Sequence, residues 1–152
     1  MGSIVEKINN QIDGVVITPL KIIEVEGGDV LHAMKKNDPG YEGFGEAYFS
    51  IVKAGAIKAW KRHSNMTLNL VACQGAVKFV IFDDRKKLNS PLIYKEVILS
   101  RENFCRLTIP PMVWFGFQGI DEVNMIINIA NIEHNVGEVD RKKLSEIKYI
   151  WK

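Results

Sequence analysis

From residue 14 to residue 133 the chain breaks into short apolar runs rich in Val, Ile, Phe and Thr, each closed quickly by Gly, Pro, Asn or Asp. "GVVITPLKIIEV", "VLHAM", "EAYFSIVKAG", "AIKAWKRH", "MTLNLVAC", "AVKFVIFDD", "LIYKEVILS", "FCRLTIP", "VWFGFQG" and "VNMIINIAN" follow one another in this way. Turn signals at roughly 8–12-residue intervals favour a β-sandwich or barrel over βαβ units. Pro19 divides the first run, because proline cannot donate to a central ladder. "EAYFSIVKAG" and "AIKAWKRH" read as a strand pair around Ala54-Gly55, and "MTLNLVAC" and "AVKFVIFDD" as a hairpin through Gln74-Gly75. Helix signals are weak: one short helix is expected over "EVDRKKLS" at 138–145, and a helical turn at 4–10. The expectation is a single all-β domain over 1–152, with its core at about 15–130, a C-terminal tail at 131–152 and short helical segments near the termini.

Charge narrows the class of partner. Twenty basic and 18 acidic side chains leave a net charge of +2, without the basic excess or stripe of a nucleic-acid binder. Arg85-Lys86-Lys87 follows Asp83 and Asp84 and reads as a solvated turn. No run approaches the ~18 apolar residues of a membrane span, and "MGSIVEKINNQIDG" lacks the cationic start and apolar centre of a secretion signal. Cys73 and Cys105 sit in apolar stretches and read as buried free thiols of a reducing cytoplasm.

Chemistry concentrates on two strands. Along "KRH", strand alternation sets Lys61 and His63 on one face and Lys58 and Trp60 on the other. An ordinary imidazole titrates near pH 6.5, which suits a general base. Lys61 then either stabilises developing negative charge or serves as the base itself, if burial lowers its pKa; the plain alternative is a strand end facing water. In "FGEAYFS", Glu46, Tyr48 and Ser50 share a face. Tyr48 reads either as a ligand contact or acid, or as a sheet anchor with its hydroxyl at the rim. His134, with Glu133, is either a loop residue or an acid–base group from the opposite side. Arg106 and Arg85 are the remaining candidates for a bidentate anion contact. Trp114 is a core residue or, at a barrel mouth, a surface for stacking a base.

The order and spacing of these residues resemble the cupins. Gly55, five residues, Lys61, Arg62, His63, four residues, Leu68, six residues and Gly75 keep the frame of the first cupin motif, in which the ligand positions are His-x-His and Glu. Pro110, Met112 and Phe115 fall on the Pro-x-Gly-x-x-His of the second. Of the four metal ligands this resemblance implies, His63 alone stands in place. Zinc and non-haem iron need at least three converging N, O or S donors, so no metal and no cofactor are expected.

"GAIKAWKRH", "GAVKFVIFDDR" and "SPLIYKEVILSRENFCRLTIPPMVWFGFQ" are more similar to one metal-free branch, the dTDP-4-dehydrorhamnose 3,5-epimerase-like (RmlC-like) family. The match extends over about residues 44–130. It implies a cupin-type β jelly roll, a homodimer, and epimerisation or isomerisation beside the ketone of a nucleotide-linked 4-keto-6-deoxy sugar, in surface polysaccharide precursor synthesis. By resemblance Lys61 occupies the place of the family's catalytic histidine, Lys58 that of an arginine, Leu68 that of a lysine beside the enolate, and Phe115 that of a second histidine. The family's proton-returning tyrosine would lie near Ile132 and Glu133, and "GGDVLHAM" supplies no arginine for the diphosphate. The expected catalytic residues are therefore His63 and Lys61, and the expected substrate contacts Lys58, Tyr48, Glu46, Arg106, Trp114 and His134. A sugar-nucleotide or carbohydrate-binding cupin that has lost the chemistry is the alternative.

Overall fold

The computed structural model describes residues 11–85 and 93–152. The turn expected at 4–10 lies outside them. The described residues form twelve strands: β1 (Val16–Pro19), β2 (Ile22–Ile23), β3 (Val30–Leu31), β4 (Glu46–Lys53), β5 (Ile57–His63), β6 (Leu68–Gln74), β7 (Ala76–Asp83), β8 (Ile93–Ser100), β9 (Cys105–Ile109), β10 (Trp114–Gly119), β11 (Val123–Ala130) and β12 (Val139–Arg141). Two five-stranded antiparallel sheets, β1-β9-β6-β11-β4 and β12-β5-β10-β7-β8, pack face to face, and β2 with β3 makes a small ribbon. This is the jelly roll expected from the sequence.

The connectivity differs from the hairpins expected at the two glycines. β4 and β5 lie in opposite sheets, and so do β6 and β7. Gly55 and Gly75, both at φ 74°, turn the chain from one sheet to the other. A side chain is impossible at Gly75, where a Cβ would stand 2.1 Å from the carbonyl oxygen of Val123. The crossing is favoured because each strand then turns one apolar row into a shared core. That core holds Val52, Met66, Leu107 and Ile109 together with Val77, Phe79, Ile81 and Leu99, all fully buried.

A second cluster covers the outer face of the β12-containing sheet. Trp60, Val80, Phe82, Trp114 and Ile147 pack there against Tyr94, Tyr149 and Trp151. β7 is consequently buried on both faces, and the C-terminal segment is structural covering. The helix expected at 138–145 does not form. β12 occupies its centre, between two three-residue 3₁₀ turns, Val136–Glu138 and Leu144–Glu146. Val136, Gly137 and Val139 oppose a helix, and β12 gains a ladder by pairing with β5. Both cysteines are free; Cys105 is buried, whereas Cys73 is exposed, contrary to expectation.

Candidate active site

The two sheets part at one end around a cavity of about 360 Å³. Leu68, Leu70, Phe115, Phe117, Ile126 and Val139 form its apolar lining. Leu68 and Phe115 stand at two of the positions where the cupin frame carries metal ligands, and the Phe115 ring lies stacked on His63 at 6.0 Å between centroids. Among the described residues, no three His, Cys, Asp or Glu side chains converge as a metal-binding group.

Polar groups enter from both walls. β5 and β12 contribute Lys61, His63 and Arg141, while β4 and β11 contribute Glu46, Tyr48, Ser50 and Asn128. His134 arrives from the segment between β11 and β12, its backbone N–H donating to Glu46 Oε1 at 2.8 Å. That segment runs close over Gly45, where a Cβ would meet the Ile132 backbone at 2.2 Å.

His63 is paired with Glu138 through Nδ1 and Oε1, and both residues are only 5% exposed. The second oxygen of Glu138 accepts from the backbone N–H groups of Asn65, at 3.1 Å, and Met66, at 3.2 Å. Burial opposes ionisation of Glu138, but the hydrogen bonds from His63 and these two amides outweigh it and hold the carboxyl below its usual range. The carboxylate fixes the imidazole with Nδ1 occupied, which leaves Nε2 as the free ring nitrogen.

Lys61 and Arg141 are opposite each other in the β5–β12 ladder. Burial, and then the charges of Arg141 and Lys58, push the Lys61 ammonium below its ordinary value. Two cations thus line one wall beside the imidazole. On the facing wall the Tyr48 hydroxyl accepts from Asn128 Nδ2 at 3.0 Å.

The cavity therefore gathers His63, Lys61, Tyr48, Glu46 and His134 from the expected set. Lys58, Arg106 and Trp114 are not among its lining residues. A bulge opposite Gly116 sets Ala59 and Trp60 both on the outer cluster, and the Lys58 ammonium donates to the Ile51 carbonyl at 3.1 Å. Arg106 is fully buried and clamps a loop, donating to the carbonyls of Ala33 and Pro39 and pairing with Asp38 at 3.2 Å. Trp114 faces outward because its neighbour Phe115 faces in; its indole N–H donates to Asp84, and Arg62 lies 4.7 Å above its ring. Arg85, the other arginine considered, pairs with Asp83 at 2.9 Å. Glu138, Arg141 and Asn128 were missed. The valines and glycine at 136–139 were the one sequence signal that the segment carrying Glu138 is not a helix.

A larger and more open groove, about 1290 Å³, follows the C-terminal residues 143–152. Its polar lining is the Lys78–Glu96 ion pair, Ser145, Tyr149 and exposed lysines, with no buried acid–base pair comparable to His63 and Glu138.

No family model matches the chain. A curated relative, a probable low-salt glycan biosynthesis epimerase of Haloferax volcanii, is 25% identical over 100 residues, and the match spans 64% of each protein. The structure of a dTDP-4-keto-L-rhamnose complex of an RmlC epimerase from Legionella pneumophila superposes with a TM-score of 0.74 at 23% identity, over 86% of this chain and 73% of that one, a likeness of fold. A dTDP sugar isomerase from Desulfovibrio desulfuricans superposes with a TM-score of 0.82 at 37% identity, over 87% of this chain and 85% of that one. At that identity and coverage, the chain belongs to the dTDP-4-dehydrorhamnose 3,5-epimerase-like (RmlC-like) family of cupins.

Proposed function

We propose that the protein moves a proton beside the ketone of a nucleotide-linked 4-keto-6-deoxy sugar, as a metal-free epimerase or ketoisomerase. The observation that carries this reading is the buried His63–Glu138 pair, whose imidazole lines a cavity that also holds two cations and a facing tyrosine. His63 Nε2 takes the proton from the carbon next to the carbonyl, and the C–H electrons pass into an enolate. Lys61 and Arg141 stabilise the enolate oxygen, since fixed cations in a half-buried site act more strongly than in water. Return of a proton by Tyr48 on the opposite face inverts the carbon. If instead the proton of the neighbouring hydroxyl passes to the enolate oxygen through an enediol, and His63 returns its proton to the former carbonyl carbon, the neighbouring oxygen becomes the carbonyl and the ketone moves. Glu46 and His134 contact the sugar at the rim.

The Haloferax relative's name, a probable low-salt glycan biosynthesis epimerase, supports a place in surface polysaccharide precursor synthesis. The two free thiols fit a reducing cytoplasm; among the described residues no helix is long and apolar enough to cross a membrane. A homodimer is supported by β4, an edge strand whose outward Phe49 and Ile51 are 63% and 62% exposed, an apolar edge of the sort that pairing covers.

The test is solvent deuterium entering a panel of nucleotide-linked 4-keto-6-deoxy sugars, dTDP-linked sugars first. Enzyme-dependent exchange, lost in His63→Ala and sharply reduced in Lys61→Ala, is expected. No exchange with any sugar of the panel would sink the catalytic reading and leave a binding protein.

A further inference from the structure

Asn128 stands directly across the β4–β11 ladder from Tyr48 and is 3% exposed. Its amide is held in one sense. Oδ1 accepts the backbone N–H of Asn69 at 3.1 Å. Nδ2 donates to the Tyr48 hydroxyl oxygen at 3.0 Å and lies 3.9 Å from Met66 Sδ. A backbone N–H only donates and a thioether sulfur only accepts. Turning the amide over would set nitrogen against a donor and oxygen against an acceptor, losing both contacts. Asn69 is braced in turn: its side chain donates to the Gly40 carbonyl at 2.9 Å and accepts from the Thr108 hydroxyl at 2.6 Å.

The phenol oxygen of Tyr48 is therefore an acceptor on the side of Asn128. A phenol has one hydrogen, and that hydrogen must point elsewhere. Tyr48 lines the cavity, and among the described residues no protein acceptor takes its hydrogen. We propose that Asn128 is a positioning residue that holds Tyr48 as a donor into the cavity, and so makes it the proton donor on the face opposite His63. The inference rests on the proton-transfer reading above. In the donor step the Tyr48 O–H bond breaks, a C–H bond forms at the enolate carbon, and the enolate electrons re-form the ketone. The phenolate left behind keeps the hydrogen bond from Asn128 and regains a proton from solvent, as the imidazolium of His63 loses one.

The test uses a dTDP-linked 4-keto-6-deoxyhexose in D₂O, reading both deuterium incorporation and inverted product. In Asn128→Asp the shape is kept and one oxygen still accepts from Asn69, but the other now accepts the phenol hydrogen and draws it out of the cavity. Incorporation by His63 is expected to persist, while inverted product per exchange event falls about 30-fold, as in Tyr48→Phe, with KM little changed. Asn128→Ala, which leaves the phenol free to donate, is expected to lose less than about 10-fold. Equal losses in the Asp and Ala variants, or an unchanged ratio of inversion to exchange, would overturn the proposal. If Asn128→Asp does not fold, Asn128→Ala is measured with and without Tyr48→Phe. A loss in the native background that vanishes in the Phe background supports action through Tyr48; equal losses in both overturn it. Wild-type exchange without inversion overturns this inference alone. Absence of wild-type exchange overturns the proton-transfer reading and this inference with it.

Discussion

Glu138 reaches His63 across 75 positions of sequence and buries its carboxylate against the imidazole Nδ1. The pair fixes which ring nitrogen is left to face the cavity. Glu138→Gln keeps the shape but replaces the anionic acceptor with a neutral amide, so an imidazolium formed at His63 loses its counter-charge. The expected result is a fall in kcat of about 10²-fold, within the range of general acid–base contributions, with KM within about threefold. Steady-state kinetics alongside deuterium incorporation would show it; a kcat equal to that of wild type would remove Glu138 from the mechanism.

The same carboxylate gives the fold an acid-sensitive component. An unfolded glutamate titrates near about 4.3, and the folded value of Glu138 is lower. The unfolded state therefore binds the proton first as pH falls. The stabilisation is fully present above the unfolded value and is lost as pH drops through the folded one. Urea unfolding should find wild type more stable than Glu138→Gln by about 1–3 kcal/mol at pH 7, with the difference shrinking as pH falls below the unfolded value and through the lower folded one. A gap independent of pH would mean that the ionised form is not what the fold prefers.

Strand alternation alone placed Lys61 with His63, and Glu46 with Tyr48, and the cavity contains all four. Local pattern could reach that far because each pair lies on one strand. It could not show that successive strands change sheets at Gly55 and Gly75, since a glycine turn serves a hairpin and a crossing equally well. Nor could it pair Glu138 with His63, a long-range contact carried by a segment whose charges suggested a helix. Arg106 has the residue type of an anion binder, but type does not separate a cavity wall from a loop clamp. The orientation of Trp114 was within reach, because an inward Phe115 obliges its neighbour to face out.

Arg106 offers a direct check on that distinction. Its guanidinium holds the Ala33 and Pro39 carbonyls and the Asp38 carboxylate with no exposure to solvent. Arg106→Met should remove the donor from both carbonyls and the counter-charge from the Asp38 carboxylate, which keeps only the Lys35 backbone N–H at 2.9 Å, at a cost of about 3 kcal/mol. The folded fraction should keep KM for the sugar nucleotide within about threefold. A large rise in KM with stability intact would return Arg106 to the binding site.

The apolar outer edge at Phe49 and Ile51 predicts that assembly can be broken without touching the cavity. Both side chains point away from Glu46, Tyr48 and Ser50 on the same strand. Ile51→Glu puts a charge on that face, which a dimer would have to desolvate. Light scattering is expected to give a dimer for wild type and a monomer for the variant, with near-native circular dichroism for both. An unchanged mass would exclude this edge as the interface.

Lys61 should cost stability in proportion to its use. Its folded value is lowered by burial and by Arg141 and Lys58, so the folded state disfavours the ammonium. That penalty is present at pH values below the folded value and is relieved as pH rises through it towards the unfolded value, about 10.4. Lys61→Met removes the charge while keeping a long apolar side chain. The variant should be more stable than wild type by roughly 1 kcal/mol at pH 7, with the advantage shrinking as pH approaches 10. Deuterium incorporation into the sugar should fall at the same time. A variant that is less stable at neutral pH would mean that the ammonium has a stabilising partner in the fold, and the unpaired cation would no longer be available to hold an enolate.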